Sequence, residues 1–278
     1  MKMVRKLLGH KLIWFALPVI LAILAMALFA PWIAPHPPDR VDLSQKLEPP
    51  GKSHLLGTDH LGRDILSRLI WGARASMGSV FLIINLIMIF SLVVGCLSGF
   101  LGGWVDSLFM RICEVFLTFP TFILAMFLIG VLGTGMFNVI LAIFLTHWAW
   151  YARIIRGLVL SLRNSEYILA SRVAGTRTWK IILRHIVPPV LAQLTILATL
   201  DIGHMMLHVS GLSFLGLGIQ PPTPEWGVMI NDARQYIWTR PELIMYPGIM
   251  IFLAVLAFNI PGDILRDSLD PAIQTEGD

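Results

Sequence analysis

The chain has 278 residues, 56% of them hydrophobic and only 14% charged, with a mean hydropathy of +0.76. A soluble domain carries about 25% charged residues, so this composition argues against a water-soluble enzyme or binding module. The net charge of +4 is too small and too scattered for a nucleic-acid binder, and Cys96 and Cys113 sit in apolar stretches, with no disulfide framework or CxxC metal site.

The apolar residues fall in blocks. A span needs about 20 predominantly apolar residues to cross the hydrocarbon layer, and backbone groups there must bond internally, which makes such blocks helical. Six spans are expected, at 12–34, 77–101, 108–132, 137–154, 186–207 and 243–265. The expected class is an all-α membrane protein with six transmembrane helices.

The N-terminal tail, 1–11, carries Lys2, Arg5, Lys6 and Lys11 and no acid. The first apolar run exceeds the 7–15 residues or so of a signal-peptide core, so an uncleaved first helix is expected. The following loop, 35–76, nearly balances Arg40, Lys46, Lys52, Arg63, Arg68 and Arg74 with Asp39, Asp42, Glu48, Asp59 and Asp64. Within it, Gly51-Lys52-Ser53 has Lys46 where a phosphate-binding loop needs its first glycine, so it is a decoy. Asp59, His60 and Asp64 have metal-binding chemistry, but a satisfied loop network is the simpler expectation. Gly95, Gly99, Gly102 and Gly103 read as a small-residue packing face. Pro120 predicts a kink in the third span, and His147 beside Trp148 and Trp150 reads as part of an interfacial aromatic belt.

The connection between spans four and five holds Arg153, Arg156, Arg163, Arg172, Arg177, Lys180 and Arg184 against Glu166 alone. Basic connections mark the cytoplasm, so this segment and both termini are expected there, with 35–76 and 216–242 periplasmic. Leu169, Ala170, Val173 and Ala174 recur at helical spacing, Gly175 offers a turn tolerant of positive φ, and a second short basic helix is expected over 179–185. Such a knob could anchor to anionic lipid or be gripped by a partner.

In the fifth span, Asp201, His204 and His208 share a helical face, with Met205 beside them. Intramembrane ionisable groups usually face a cavity or a partner, and imidazole with thioether suits nickel, copper and zinc. Two readings stand: a path for a metal or metal chelate making transient contacts, or helix–helix hydrogen bonds with methionine packing. Pro221, Pro222 and Pro224 predict a stiff connector that presents Trp226 outside.

Leu169-Ala170-Ser171, Gly175 and Val187-Pro188 resemble the EAA loop of binding-protein-dependent ABC importer permeases, with Leu169 at the usual acidic position and Glu166 one turn earlier. Leu56-Gly57-Thr58-Asp59-His60-Leu61-Gly62-Arg63-Asp64 is similar to the LGTDxxGRD signature of the peptide/opine/nickel uptake branch. Further likenesses are Leu212–Gly218, Pro221–Gly227 and Arg266–Pro271, while the stretches 201–208 and 225–238 look most like the nickel-import members. Peptide-handling members tend to carry a glutamate where this chain has Val209.

The resemblance implies the MetI-like permease fold, with a coupling loop, 161–185, in which Glu166, Leu169, Ala170, Ser171, Arg172 and Gly175 meet an ATPase. It divides the chain into a cytoplasmic tail 1–11, a first helix 12–34, a periplasmic loop 35–76, a permease core 77–265 and a cytoplasmic tail 266–278. It implies a second homologous permease as heterodimer partner, two cytoplasmic ATPases and a periplasmic or lipid-anchored substrate-binding protein, all at the bacterial inner membrane. The chain is then a pore-forming subunit rather than an enzyme, with ATP and magnesium on the partners and no cofactor of its own. The expected cargo is nickel or a nickel chelate. The alternatives are peptide import by the same machinery, an ATP-independent secondary transporter, and a membrane-embedded enzyme, for which no base-bearing motif is present.

Overall fold

In the computed structural model, residues 10–269 are described; side chains from Asp267 onward and the tails at 1–9 and 270–278 lie outside them. The basic residues Lys2, Arg5 and Lys6 and the end of the Arg266–Pro271 motif therefore fall outside the described residues. Every regular element among the described residues is helical.

The helices are α1 (Ile13–Ile33), α2 (Ile65–Leu101), α3 (Gly103–Thr118), α4 (Thr121–Leu132), α5 (Met136–Leu162), α6 (Glu166–Val173), α7 (Thr178–Ile181), α8 (Val187–Phe214), α9 (Trp226–Ala233) and α10 (Glu242–Leu269). Five are long and apolar enough to cross a membrane, counting α7–α8 as one run, or six if α3 and α4 form one span.

Three departures from the sequence expectation have physical causes. Helix α2 begins at Ile65, so 65–76 of the expected loop is helical, with Asp64 accepting from the Ser67 amide at 2.8 Å to start it. The third span is broken rather than kinked: α3 and α4 meet at 91° across Phe119-Pro120, because proline disfavours helix in its predecessor and cannot donate. The second basic helix is not separate. From Thr178 the chain is helical to Phe214, with a π-helical turn at Ile182–Ile186. Pro188 and Pro189 leave carbonyls of that turn without their usual donors, and widening the turn accommodates them.

The chain forms two compact units. Among the described residues the first comprises 10–82, 129–140 and 199–269. In it α10 packs on both α1 and α9. The second comprises Ile83–Leu128 and Leu141–Ala198, with a core in which Val94, Cys113, Trp148 and Ala152 meet. There α2 and α5 touch backbone to side chain: a Cβ on Gly95 would lie 2.6 Å from Ile155, and one on Gly99 2.8 Å from Val159. Gly102 and Gly103, expected on the same packing face, instead turn the chain at φ +68° and +57°.

Candidate functional site

Three places gather the residues that sequence reading singled out. The first is the segment between α5 and α8. Arg163 reaches back to donate to the Gly99 carbonyl at 3.1 Å, and the Arg172 guanidinium lies 4.8 Å from the Phe100 ring centroid. The first contact ties the turn before α6 to the end of α2, and the second ties α6 itself. Only Ile168 of α6 is fully buried. Leu169, Ala170, Val173 and Gly175 are exposed, Val173 at 90%, and Trp179 and Leu183 continue the uncovered apolar surface. Glu166 stands in the first turn and Arg172 in the last, each favourable to the helix dipole. Ser171 donates to the Tyr167 carbonyl. Gly175 turns at φ +74° with nothing within 4 Å of where a Cβ would stand, so backbone conformation alone requires glycine there.

Beside it lies a latch that sequence reading missed. Asp106 of α3 accepts two bonds from Arg156 of α5, at 2.5 and 2.6 Å, and a third from Ser98 of α2 at 2.5 Å. A forked, charge-assisted pair of this kind fixes both distance and plane. Fifty residues separate Asp106 from Arg156 along the chain, so no local pattern could reveal the pair.

The second place is the polar face of α8. His204 Nδ1 lies 3.3 Å from Asp201 Oδ1, the His204 side chain is 69% exposed, and Asp201 is 10% exposed. His208 Nδ1 donates to the His204 carbonyl at 2.8 Å. The two imidazoles thus stand one turn apart on an open face. Met205 does not join them: it is fully buried, as is Met206, because one residue is about 100° of rotation. Behind this face Gly203 meets Asn259 of α10, whose Oδ1 would lie 2.6 Å from an added Cβ.

The third place is the long first loop and its seam with α8–α9. Asp59 binds the amides of Leu61 and Arg63 and the Arg63 guanidinium at 2.6 Å; Arg63 and Arg68 also face Asp232, at 3.3 and 3.7 Å. Arg68 donates to the Pro222 carbonyl at 3.0 Å. The LGTDxxGRD stretch is therefore a buried ionic knot joining this loop to the 216–242 segment. Gly62 is essential to its path, since a Cβ there would collide with the Asp42 carbonyl. His60 stacks on Tyr236, and burial holds its imidazole below the usual histidine pKa.

Trp226, expected to face outward, is fully buried. Its indole occupies the space that glycine leaves at Gly72 and donates to the Leu69 carbonyl at 3.0 Å. Glu225 is buried as well, capping α9 at the Val228 amide and accepting from Ser76 at 2.9 Å. Burial raises its carboxyl above the usual range, and the hydrogen bonds at Gly227, Val228 and Ser76 offset part of that rise. The proline-rich connector therefore seats a plug rather than displaying an aromatic; Trp238, 91% exposed, is the open one.

A family model described as the binding-protein-dependent transport system inner membrane component matches residues 91–275, and one for the N-terminal TM domain of oligopeptide transport permease C matches residues 2–50. The chain is 54% identical over 259 residues to the nickel transport system permease protein NikC of Escherichia coli K12, covering 93% of this chain and 94% of that protein. It is 40% identical to the metal-staphylopine import system permease CntC of Staphylococcus aureus NCTC 8325, covering 99% and 96%. It is 38% identical to the dipeptide transport system permease DppC of Alkalihalophilus pseudofirmus, covering 98% and 89%. Among solved structures, the inward-facing MetNI methionine ABC transporter aligns with a TM-score of 0.57 at 18% identity, covering 73% of this chain and 96% of that one, a likeness of fold.

Proposed function

The chain belongs to the binding-protein-dependent transport system inner membrane component family, and from that premise we propose that it passes nickel, as the ion or a chelate, through a path bordered by α8. It is a multi-pass inner-membrane permease subunit of an ABC importer, working with an ATPase and a substrate-binding protein. ATP hydrolysis belongs to that separate partner. The finer assembly is part of the proposal: a heterodimer with a second homologous permease, two ATPases binding ATP and magnesium, a periplasmic or lipid-anchored binding protein, and both termini in the cytoplasm.

The observation that carries the cargo assignment is the His204/His208 pair on the open face of α8. Imidazole nitrogen suits nickel among the late first-row ions, and two rings one turn apart offer exchangeable rather than caging coordination. The E. coli nickel permease points the same way. Dipeptide import is the second reading, supported by the DppC likeness.

In the proposed mechanism the ATPase grips the exposed apolar face of α6, with Leu169, Ala170, Ser171 and Gly175 at the contact. Motion passes to α2 through Arg163 and Arg172, and directly along the helix that starts at Thr178 and carries His204 and His208. Radionickel and labelled dipeptide uptake in cells lacking other such importers tests the cargo. Nickel uptake is expected, and H204A/H208A should lower it about tenfold or more, the usual scale for weakening a metal site, while leaving complex assembly intact. Dipeptide uptake without nickel uptake would overturn the assignment.

A further inference from the structure

The first loop contains a second set of metal-ligating side chains, in which Asp64 at the end of the LGTDxxGRD stretch meets two histidines. One nitrogen each of His36 and His54 and one oxygen of Asp64 lie within 4.8 Å of one another, and the two rings approach at a centroid distance of 4.8 Å. His54 and Asp64 are buried and His36 is half-buried. The group borders a cavity of about 210 Å³, which Asp42, Gln45 and Arg40 also line.

The hydrogen bonds behind the rings are informative. His36 Nε2 donates to the Ser53 carbonyl at 2.9 Å, which can only accept, so the ring's lone pair is on Nδ1. His54 Nε2 lies 3.1 Å from Gln45 Oε1 and its Nδ1 lies 2.9 Å from Asp64 Oδ1. A neutral ring can donate to only one of those oxygens, so a ring bonded to Gln45 turns a lone pair toward a carboxylate. In that tautomer a cation can bridge the two groups, whereas in the other the ring donates to Asp64 directly. Metal-bound histidines characteristically have the far nitrogen tied to an oxygen, as both rings have here. His54 Nδ1 and Asp64 Oδ1 stand at a hydrogen-bond separation of 2.9 Å, close to the roughly 2.9–3.3 Å between neighbouring ligands of an octahedral or tetrahedral ion on bonds of about 2.0–2.1 Å. The other carboxylate oxygen is held by the Ser67 amide at 2.8 Å, and the His36 amide donates to the Ser67 hydroxyl at 2.9 Å. The first turn of α2 thus supports both Asp64 and the backbone of His36.

We propose that His36, His54 and Asp64 form a binding site for a late first-row divalent cation such as Ni²⁺ or Zn²⁺. Two imidazoles and a carboxylate suit that class and not Mg²⁺ or Ca²⁺, which prefer all-oxygen shells. Remaining coordination positions open on the cavity, where water or a chelator can complete the shell. Asp42, whose carboxyl is held below the usual range by its bonds to Ser44, adds negative charge that offsets Arg40 at the rim. The inference goes beyond the cargo reading, because a loop site binds the ion whichever solute α8 passes.

The test uses the full-length chain with its partner subunits in lipid nanodiscs, in an H204A/H208A background that removes the α8 imidazoles. Nickel is added by calorimetric titration, and the bound ion is read by X-ray absorption. The expected result is one ion per chain with imidazole nitrogen and oxygen neighbours, weakened at least tenfold by His36→Ala. His36 is half-buried and caps nothing through its ring, so that variant should fold; His54→Gln, checked by an unchanged melting temperature, is the second. Unchanged affinity in both variants, or an absorption spectrum without imidazole scattering, would overturn the site. Because the assay measures binding and not uptake, its failure is distinct from failure of the cargo assignment.

Discussion

Glu225 concentrates the residue-scale physics of the fold. For a carboxyl with no exposed surface, capping α9 and accepting from Ser76, burial disfavours the charged form and raises the pKa. Its folded pKa lies above the unfolded one, so the native state holds a proton that the unfolded chain releases at lower pH. Stability from this group is therefore complete below the unfolded pKa and declines as pH rises through the folded one. Glu225→Gln keeps the acceptor for Ser76 and removes the titration. Its melting temperature between pH 5 and 8 should fall less than that of the unsubstituted chain; parallel slopes would contradict the assignment. The neighbouring Gly72 and Trp226 show why this plug is hidden from a sequence reading. An indole after a run of prolines looks like a surface feature until the glycine that receives it, far earlier in the chain, is known. His36, likewise, gains meaning only when folding places it against His54.

Among the elements, the long apolar helices were legible because hydropathy and length alone specify a span. Their edges were less so. The start of α2 depends on Asp64 as a cap, the 91° break on Pro120, and the merging of α7 with α8 on a π turn before Pro188. The short helix α6 was legible in its spacing and its Gly175 stop, but its attachment through Arg163 and Arg172 to the end of α2 was not, because those pairings are non-local. The exposed face of α6 yields a prediction. Val173 is 90% exposed and contributes nothing to the core, so Val173→Asp should change stability by less than about 0.5 kcal/mol. Placing a charge on an apolar docking face should nonetheless reduce recovery of the ATPase with the permease about tenfold. Normal co-purification would mean that α6 faces lipid or water instead.

For the whole molecule, two units, each internally packed, share the long helices α2, α5 and α8. That continuity gives a force applied at α6 a covalent route to the face that bears His204 and His208. The central claim, that the ATPase grips this segment, is tested most directly by thiol cross-linking. A cysteine replaces Ala170 on the exposed side of α6, and a short bifunctional reagent links it to a cysteine in the co-assembled ATPase. Cys96 and Cys113 are both buried, and a thiol in apolar surroundings is inert toward such reagents, so the background is low. The account predicts a cross-link whose yield changes between nucleotide-free and ATP-bound complexes; an assembled, transport-competent complex that gives no cross-link in either state would contradict it.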